Sequence, residues 1–247
     1  TARTDAANMA DLSYELGPPI GTKATLGLIV LQSDETIEQD FRRLFPDDDI
    51  AIYVSRVPSG LEVNPDTLAE MAENLPASAE LFPKSISFDV VGYGCTSGTA
   101  VIGADQVAAL VKTRCATPHV TDPLTALIAQ CRAKNVTRLA LVSPYVETVS
   151  QTMRDRLSDA GIETPVFASF GVAEEAKVAR ISQGSIERAA ISVARGKDVD
   201  GVFLSCTNLR TWEANPTMEA ALGVPVFASN QALAGHMSVR ASDTEKA

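Results

Sequence analysis

Seven short runs of apolar and β-branched residues recur along the chain, bounded by polar and turn-forming residues. They are ATLGLIVL from Ala24, DIAIYVSRV from Asp49, SISFDVVGY from Ser85, RLALVSP from Arg138, TPVFAS from Thr164, DGVFLS from Asp200 and VPVFAS from Val224. Runs of this length and composition predict buried β-strands. The stretches between them carry helical periodicity. From Pro123 to Lys134, for example, Leu124, Leu127, Ile128 and Cys131 fall on one face. Strands alternating with helices predict an α/β fold whose parallel sheets are covered on both sides.

The pattern also repeats. VLQSDETIEQDFRRL, from Val30, and VSPYVETVSQTMRDRL, from Val142, align Glu35-Thr36 with Glu147-Thr148 and run on through Ile37/Val149, Gln39/Gln151, Phe41/Met153 and Arg42/Arg154. FDVVGYGCTS and VDGVFLSCTN align Asp89 with Asp200, Cys95 with Cys206 and Thr96 with Thr207. The two offsets, 112 and 111 residues, agree within one residue. That predicts two copies of one α/β unit related by a pseudo-two-fold axis, at a period too long for a solenoid. Ligands of open α/β sheets bind beyond the carboxyl ends of the strands. Cys95 and Cys206 each follow a strand and, on this reading, precede a helix, so the axis brings both thiols to one cleft.

Composition narrows the classes. The 247 residues suffice for one large α/β domain or two modest ones, and 45% hydrophobic against 21% charged residues fits a packed core. A net charge of −10 disfavours nucleic-acid binding, although a local field in a pocket can oppose the global one. No apolar run approaches the roughly 20 residues of a membrane span. The opening TARTDAANMADLSYELGPP lacks the basic and apolar regions of a secretory signal and reads as an acidic, flexible tail. The closing ASDTEKA reads as a frayed terminus. Four scattered cysteines, Cys95, Cys115, Cys131 and Cys206, fit a reducing cytoplasm better than a disulfide framework.

The chemistry concentrates at the two Cys-Thr turns. In GYGCTSGTA, glycines allow a tight turn and close approach to a ligand. A helix start there would supply free N–H groups and a partial positive charge, which bind carboxylates and lower a thiol's pKa. Thr96 and Ser97 add hydroxyls, and SCTN repeats the arrangement with Thr207 and Asn208. A thiolate on one face and a thiol on the other can abstract a proton alpha to a carboxylate and return one to the opposite side, without a cofactor. Alternatively, one thiolate adds to a carbon–carbon double bond while the other protonates or guards the far face. Cys115 and Cys131 read as inert packing. No CxxC, HxxxH or His/carboxylate cluster points to a metal or a redox pair. No GxGxxG, Walker A or GxSxG segment points to a nucleotide or a serine nucleophile. His119 and His236 stand alone and read as helix-end or surface residues.

With these turns and the half-chain repeat in view, the sequence resembles the aspartate/glutamate/hydantoin racemase superfamily from about Ala24 to Met237. GYGCTSGTAVIG and GVPVFASNQAL are similar to its maleate cis–trans isomerase and arylmalonate decarboxylase branch. Within that branch, LIVLQSDETIEQDFRRLFP and LSCTNLRTW resemble the ectoine-utilisation protein A group. The resemblance implies two Rossmann-like halves, 1–120 and 121–225, with the site between them, and no cofactor. It implies that the last helix, about 226–247, returns to the first half. It assigns Cys95 as the nucleophilic or basic cysteine of the first half, Cys206 as its partner, and Tyr145 as a hydrogen-bond donor to a substrate carboxylate. Arylmalonate decarboxylases keep only the second-half cysteine, so the presence of both argues against that activity.

Two departures bear on the substrate. Asp34 stands where maleate isomerases place an asparagine that grips a carboxylate, and Glu175 stands where they place a second. Two carboxylates in place of two amides would repel a dicarboxylate and favour a substrate with a cationic group beside its carboxylate, such as ectoine. Each also has a plainer reading: Asp34 as the cap of a helix starting at Glu35, and Glu175 as a solvated helix residue. Three functions follow. The first is a racemase or epimerase of a small cyclic or amino-acid-like carboxylate, the second a maleate-type isomerase, and the third a metabolite sensor without catalysis. The expected partner is that metabolite, with no nucleic acid and no membrane, and a homo-oligomer is compatible with the chain.

Overall fold

The computed structural model describes residues 12–212 and 215–244. Its first half comprises β1 (Ala24–Leu31), α1 (Ile37–Leu44), β2 (Ile50–Val57), α2 (Pro65–Glu80), β3 (Val90–Gly94), α3 (Thr96–Ile102), α4 (Ala104–Lys112) and β4 (His119–Thr121). After α5 (Pro123–Lys134), the second half comprises β5 (Arg138–Ser143), α6 (Glu147–Asp159), β6 (Glu163–Ser169), α7 (Glu175–Val178), α8 (Gln183–Ala194), β7 (Gly201–Leu204), α9 (Asn215–Leu222) and β8 (Val226–Ala228). The chain continues as α10 (Ser229–Thr244). The sheets are all-parallel and carry the same strand order, β2-β1-β3-β4 and β6-β5-β7-β8. This is the doubled α/β architecture that the repeat predicts.

The repeated aspartates show why the repeat persists. Asp89, just before β3, accepts the Thr25 N–H of β1 at 2.7 Å. Asp200, just before β7, accepts the Thr137 and Arg138 N–H groups at the start of β5, both at 3.0 Å. In each half one carboxylate ties the two central strands together at their amino ends, so the opposite ends come out level beneath the cleft.

The helices that follow the fourth strands are exchanged. Leu124, Leu127 and Cys131 of α5 pack on Leu139, Leu141 and Phe203 of the second sheet. Leu233, Ala234 and Met237 of α10 pack on Leu26, Leu28 and Val90 of the first. Gly92 admits α10, because a Cβ there would lie 2.6 Å from the Met237 sulfur. The two helices also pack on each other, locking the halves together.

Several expectations are corrected. β4 is a strand that the apolar pattern misses, being three residues long and only half-buried at His119 and Val120. The run from Ser85 yields a strand only from Val90. α10 continues through Asp243 and Thr244, with Ala241 buried, so the fraying expected from Ala241 onward is absent up to there, and residues 245–247 lie outside the described residues. The acidic tail expected at the start lies outside them up to residue 11. Among the described residues no helix is long and apolar enough to cross a membrane.

Candidate active site

The carboxyl ends of β1, β3, β5 and β7 meet around a narrow cavity lined by Asp34, Cys95, Thr96, Ser97, Tyr145, Glu175, Cys206 and Thr207, with an apolar wall of Leu31, Val63 and Leu68. Its walls stand so close that little more than one water molecule fits between them. Of the residues singled out from sequence, Asn208 alone does not face it. Asn208 instead staples the halves, accepting the Glu35 N–H at 2.9 Å and donating to Glu175 Oε2 at 2.6 Å.

The two cysteines are held differently. Cys95 caps α3 in an extended conformation, and its sulfur accepts the Gly98 N–H at 3.1 Å. Cys206 has φ of 129°, a strained value for a residue with a Cβ. The helix expected after it is absent. A turn follows, and α9 begins only at Asn215. Ser229 secures the strained turn, accepting the Cys206 N–H at 3.0 Å while its hydroxyl meets Thr96 Oγ1 at 2.9 Å. Thr207 donates to Gly94 O at 3.2 Å. Each Cys-Thr turn is thus fastened to the end of the other half.

Asp34 serves both of its readings. Oδ1 accepts the Thr36 and Ile37 N–H groups, both at 2.8 Å, and so caps α1, which starts at Ile37 rather than Glu35. Oδ2 is buried and has no hydrogen-bond partner among the described residues. The Thr207 hydroxyl beside it lowers the carboxyl's pKa somewhat, but its proton goes to Gly94 O. Burial dominates and raises the Asp34 pKa. Arg56 holds this loop from outside, donating to the carbonyls of Leu31, Gln32 and Asp34 at 3.0–3.1 Å.

Glu175 is not a solvated helix residue; it is 2% exposed at the start of α7. Oε1 accepts the Tyr145 hydroxyl at 2.6 Å and Oε2 accepts Asn208 Nδ2 at 2.6 Å. Burial raises its pKa, opposed by these two bonds and reinforced by Asp34. Tyr145 therefore gives to Glu175, in this structure, the proton that the resemblance assigns to a substrate carboxylate. Its oxygen lies 3.0 Å from Cys206 Sγ.

The expectation of depressed thiol pKa values is overturned. Burial pushes Cys95 up to about 12, with Glu175 and Asp34 adding to it and the Gly98 N–H opposing. Burial and the Glu175 charge push Cys206 well up, against the Asn208 N–H. A local N–H or helix end does not offset desolvation beside two carboxylates. Cys131 is sealed between α5 and the second sheet, and Cys115 belongs to the core of the first half. Neither histidine lines the cavity; His236 bonds Thr121 Oγ1 at 2.6 Å. Among the described residues no His/Cys/Asp/Glu group is arranged to hold a metal.

Two features escape the sequence reading. Ser229 holds both turns yet lies 23 residues beyond Cys206, its only signal being a position just after a strand, like the cysteines' own. The second is a seal over the cavity. The segment around Val63 pairs with the one before α7, Val63 N–H to Ala173 O at 3.0 Å and Glu175 N–H to Leu61 O at 3.1 Å. Outside it, the opening is lined by Asp34, Glu35, Glu62, Glu174 and Glu175, with Arg56 as the cation. Of these, Glu35 pairs with Arg180 and Glu174 with Lys177.

Comparison with known proteins places this geometry. The arylmalonate decarboxylase family matches residues 26–246. The arylmalonate decarboxylase of Bordetella bronchiseptica is 30% identical over 214 residues, covering 84% of this chain and 86% of that protein. The maleate isomerase of Nocardia farcinica is 25% identical over 226 residues, covering 87% and 88%. Among solved structures, the maleate isomerase of Pseudomonas putida S16 with maleate superposes with a TM-score of 0.79 at 23% identity, covering 87% of this chain and 90% of that one. A liganded double mutant of arylmalonate decarboxylase gives 0.78 at 28% identity, covering 88% and 92%.

Proposed function

The chain belongs to the arylmalonate decarboxylase family, and from that premise we propose that it is a two-cysteine isomerase of the racemase or epimerase type. It moves a proton at the carbon alpha to a carboxylate on a small substrate that also carries a cationic group. Ectoine, a cyclic amidinium acid, has that chemistry. One observation carries the reading. A cysteine from each half lines one narrow cavity, together with a buried carboxylate oxygen, Asp34 Oδ2, that has no donor among the described residues.

In this reading Asp34 Oδ2 pairs with the substrate's cationic group, and the hydroxyl-bearing turn at Thr96 and Ser97 holds its carboxylate. The Val63 and Ala173 segments part to admit the substrate in this reading, and its alpha carbon then lies between the sulfurs. One thiolate removes the proton from one face and the other thiol supplies a proton to the opposite face. The high thiol pKa values suit this work, because an alpha proton is weakly acidic and a thiolate formed in this site is a strong base. The cavity is too narrow for more than about one water, so the charge on the substrate meets mainly fixed dipoles.

A second reading is maleate-type cis–trans isomerisation. It is supported by the solved Nocardia farcinica isomerase mutant with a covalently bound succinylcysteine intermediate. The Asp34 and Glu175 carboxylates favour the first reading, since a dicarboxylate placed beside them would be repelled.

The test is solvent-deuterium exchange at the alpha carbon, followed by NMR, with ectoine, maleate, aspartate and hydantoins as substrates. Wild type should exchange and invert the alpha centre, and Cys95→Ser should bind without inverting it, since a serine hydroxyl cannot replace the second thiol on the opposite face. Rapid conversion of maleate to fumarate by wild type would overturn the charge argument. Binding with neither exchange nor conversion would leave a sensor.

A further inference from the structure

Building on the two-cysteine reading, we propose that Glu175 is the proton acceptor that ionises Cys206, through the hydroxyl of Tyr145. Tyr145 Oη lies 2.6 Å from Glu175 Oε1 and 3.0 Å from Cys206 Sγ. A tyrosine has one proton to donate and an ionised carboxylate only accepts. The phenol proton therefore points at Glu175, and the phenol oxygen is the acceptor for the thiol. The chain has one direction, from Cys206 S–H to Tyr145 O–H to Glu175 Oε1. Asn208 steadies both ends, with Nδ2 on Glu175 Oε2 at 2.6 Å and its backbone N–H on Cys206 Sγ at 3.3 Å.

The step balances without any other reactant. The Cys206 S–H bond breaks and its proton joins Tyr145 Oη, while the Tyr145 O–H bond breaks and its proton joins Glu175 Oε1. The products are a thiolate, an intact phenol and a carboxylic acid, and no electrons change hands. The cavity's net charge is unchanged, which is what the site requires. Among the described residues no Lys, Arg or His lines it, so a thiolate made by releasing a proton to solvent would stand uncompensated beside Glu175 and Asp34. Once Glu175 holds the proton, its repulsion of the thiolate disappears. Burial raises both groups' pKa values. The other titratable groups facing the pair are Asp34 from the loop after β1 and Cys95 from the turn after β3, with Arg56, Glu35, Glu62 and Glu174 at the outer opening.

The consequence is a pH signature. While the pair holds one proton, the share resting on oxygen, and hence the thiolate fraction, does not depend on pH. A thiol with no such acceptor gains about tenfold in thiolate per pH unit below its own pKa. Alkylation by iodoacetamide, resolved by peptide mass spectrometry, reads this without any substrate, and Cys95 in the same digest corrects for opening of the seal. Between about pH 6.5 and 8.5, wild-type Cys206 should change less than about threefold while Cys95 rises by about 100-fold. At the lower pH, Cys206 should be the faster of the two.

In Glu175→Gln, which keeps an acceptor oxygen but cannot take the proton, Cys206 should rise about 100-fold over the same range. Tyr145→Phe, which keeps Glu175 and breaks the chain, should do the same and serves if the first variant does not fold. A purely electrostatic role for Glu175 would shift the rates without altering the slope. Equal slopes for Cys206 and Cys95 in wild type, a plateau that persists in a folded Glu175→Gln or Tyr145→Phe protein, or Cys206 slower than Cys95 at the lower pH would each overturn the proposal. The outcome is separable from the isomerase reading. Alpha-proton exchange without the plateau sinks the relay alone, and a plateau without exchange sinks the isomerase alone.

Discussion

Asp34→Asn separates ligand binding from folding at one atom. Asparagine caps helices as well as aspartate does, so the bonds from Thr36 and Ile37, both 2.8 Å in the wild type, should survive on its oxygen. What changes is the second atom, where a carboxylate oxygen without a partner becomes an amide donor. A charge-assisted hydrogen bond from a cationic ligand is worth about 1.5–3 kcal/mol. Its loss should weaken ectoine by roughly 10- to 150-fold, while maleate, offered a donor in place of a charge, should bind better. Stability should move the other way. Burial raises the Asp34 pKa above its ordinary 3.8, so between those values the folded protein binds more protons than the unfolded one. Wild type therefore loses stability as pH rises through that window, and above it carries the full cost of a buried charge. The variant's melting temperature, relative to wild type, should climb from about pH 4 upward and then level off. Isothermal titration calorimetry with ectoine and maleate, and thermal melts across that range, measure both halves. Undiminished ectoine binding by the variant, or a melting difference that shrinks as pH rises, would refute the reasoning.

Other substitutions probe the scaffold. At Gly98 a Cβ would lie 2.6 Å from the Tyr93 hydroxyl and 2.9 Å from Cys95 Sγ. Gly98→Ala should displace the thiol, costing about 1–3 kcal/mol in urea unfolding and about 100-fold in alpha-proton exchange; full exchange would show that this glycine does not set the thiol's position. Ser229→Ala removes the acceptor of the Cys206 N–H and the partner of Thr96. Leaving that buried N–H unpaired should cost about 1–3 kcal/mol, read as a lower urea midpoint, and an unchanged midpoint would mean that the strained turn is held by something else.

Much of the architecture is written in local pattern. Apolar runs such as ATLGLIVL need only their neighbours to become strands, and the spacing shared by Asp89/Asp200 and Cys95/Cys206 announces two like sheets because the same strand-tying bonds recur in each. Likewise Asp34 is legible as a cap, since its partners are two and three residues away. β4 was not legible, because three half-buried residues carry too little apolar signal and are a strand only by lying against β3. The direction of the thiol pKa shifts also belongs to the tertiary structure. A neighbouring turn supplies N–H groups, but carboxylates from the loop after β1 and from the start of α7 are folded against both buried sulfurs, and desolvation outweighs the local dipoles. The line from Cys206 through Tyr145 to Glu175 spans 61 and then 30 residues of chain. Nothing in either segment calls for the other, and only the closing of the second sheet's loops over its strand ends makes them one hydrogen-bonded path.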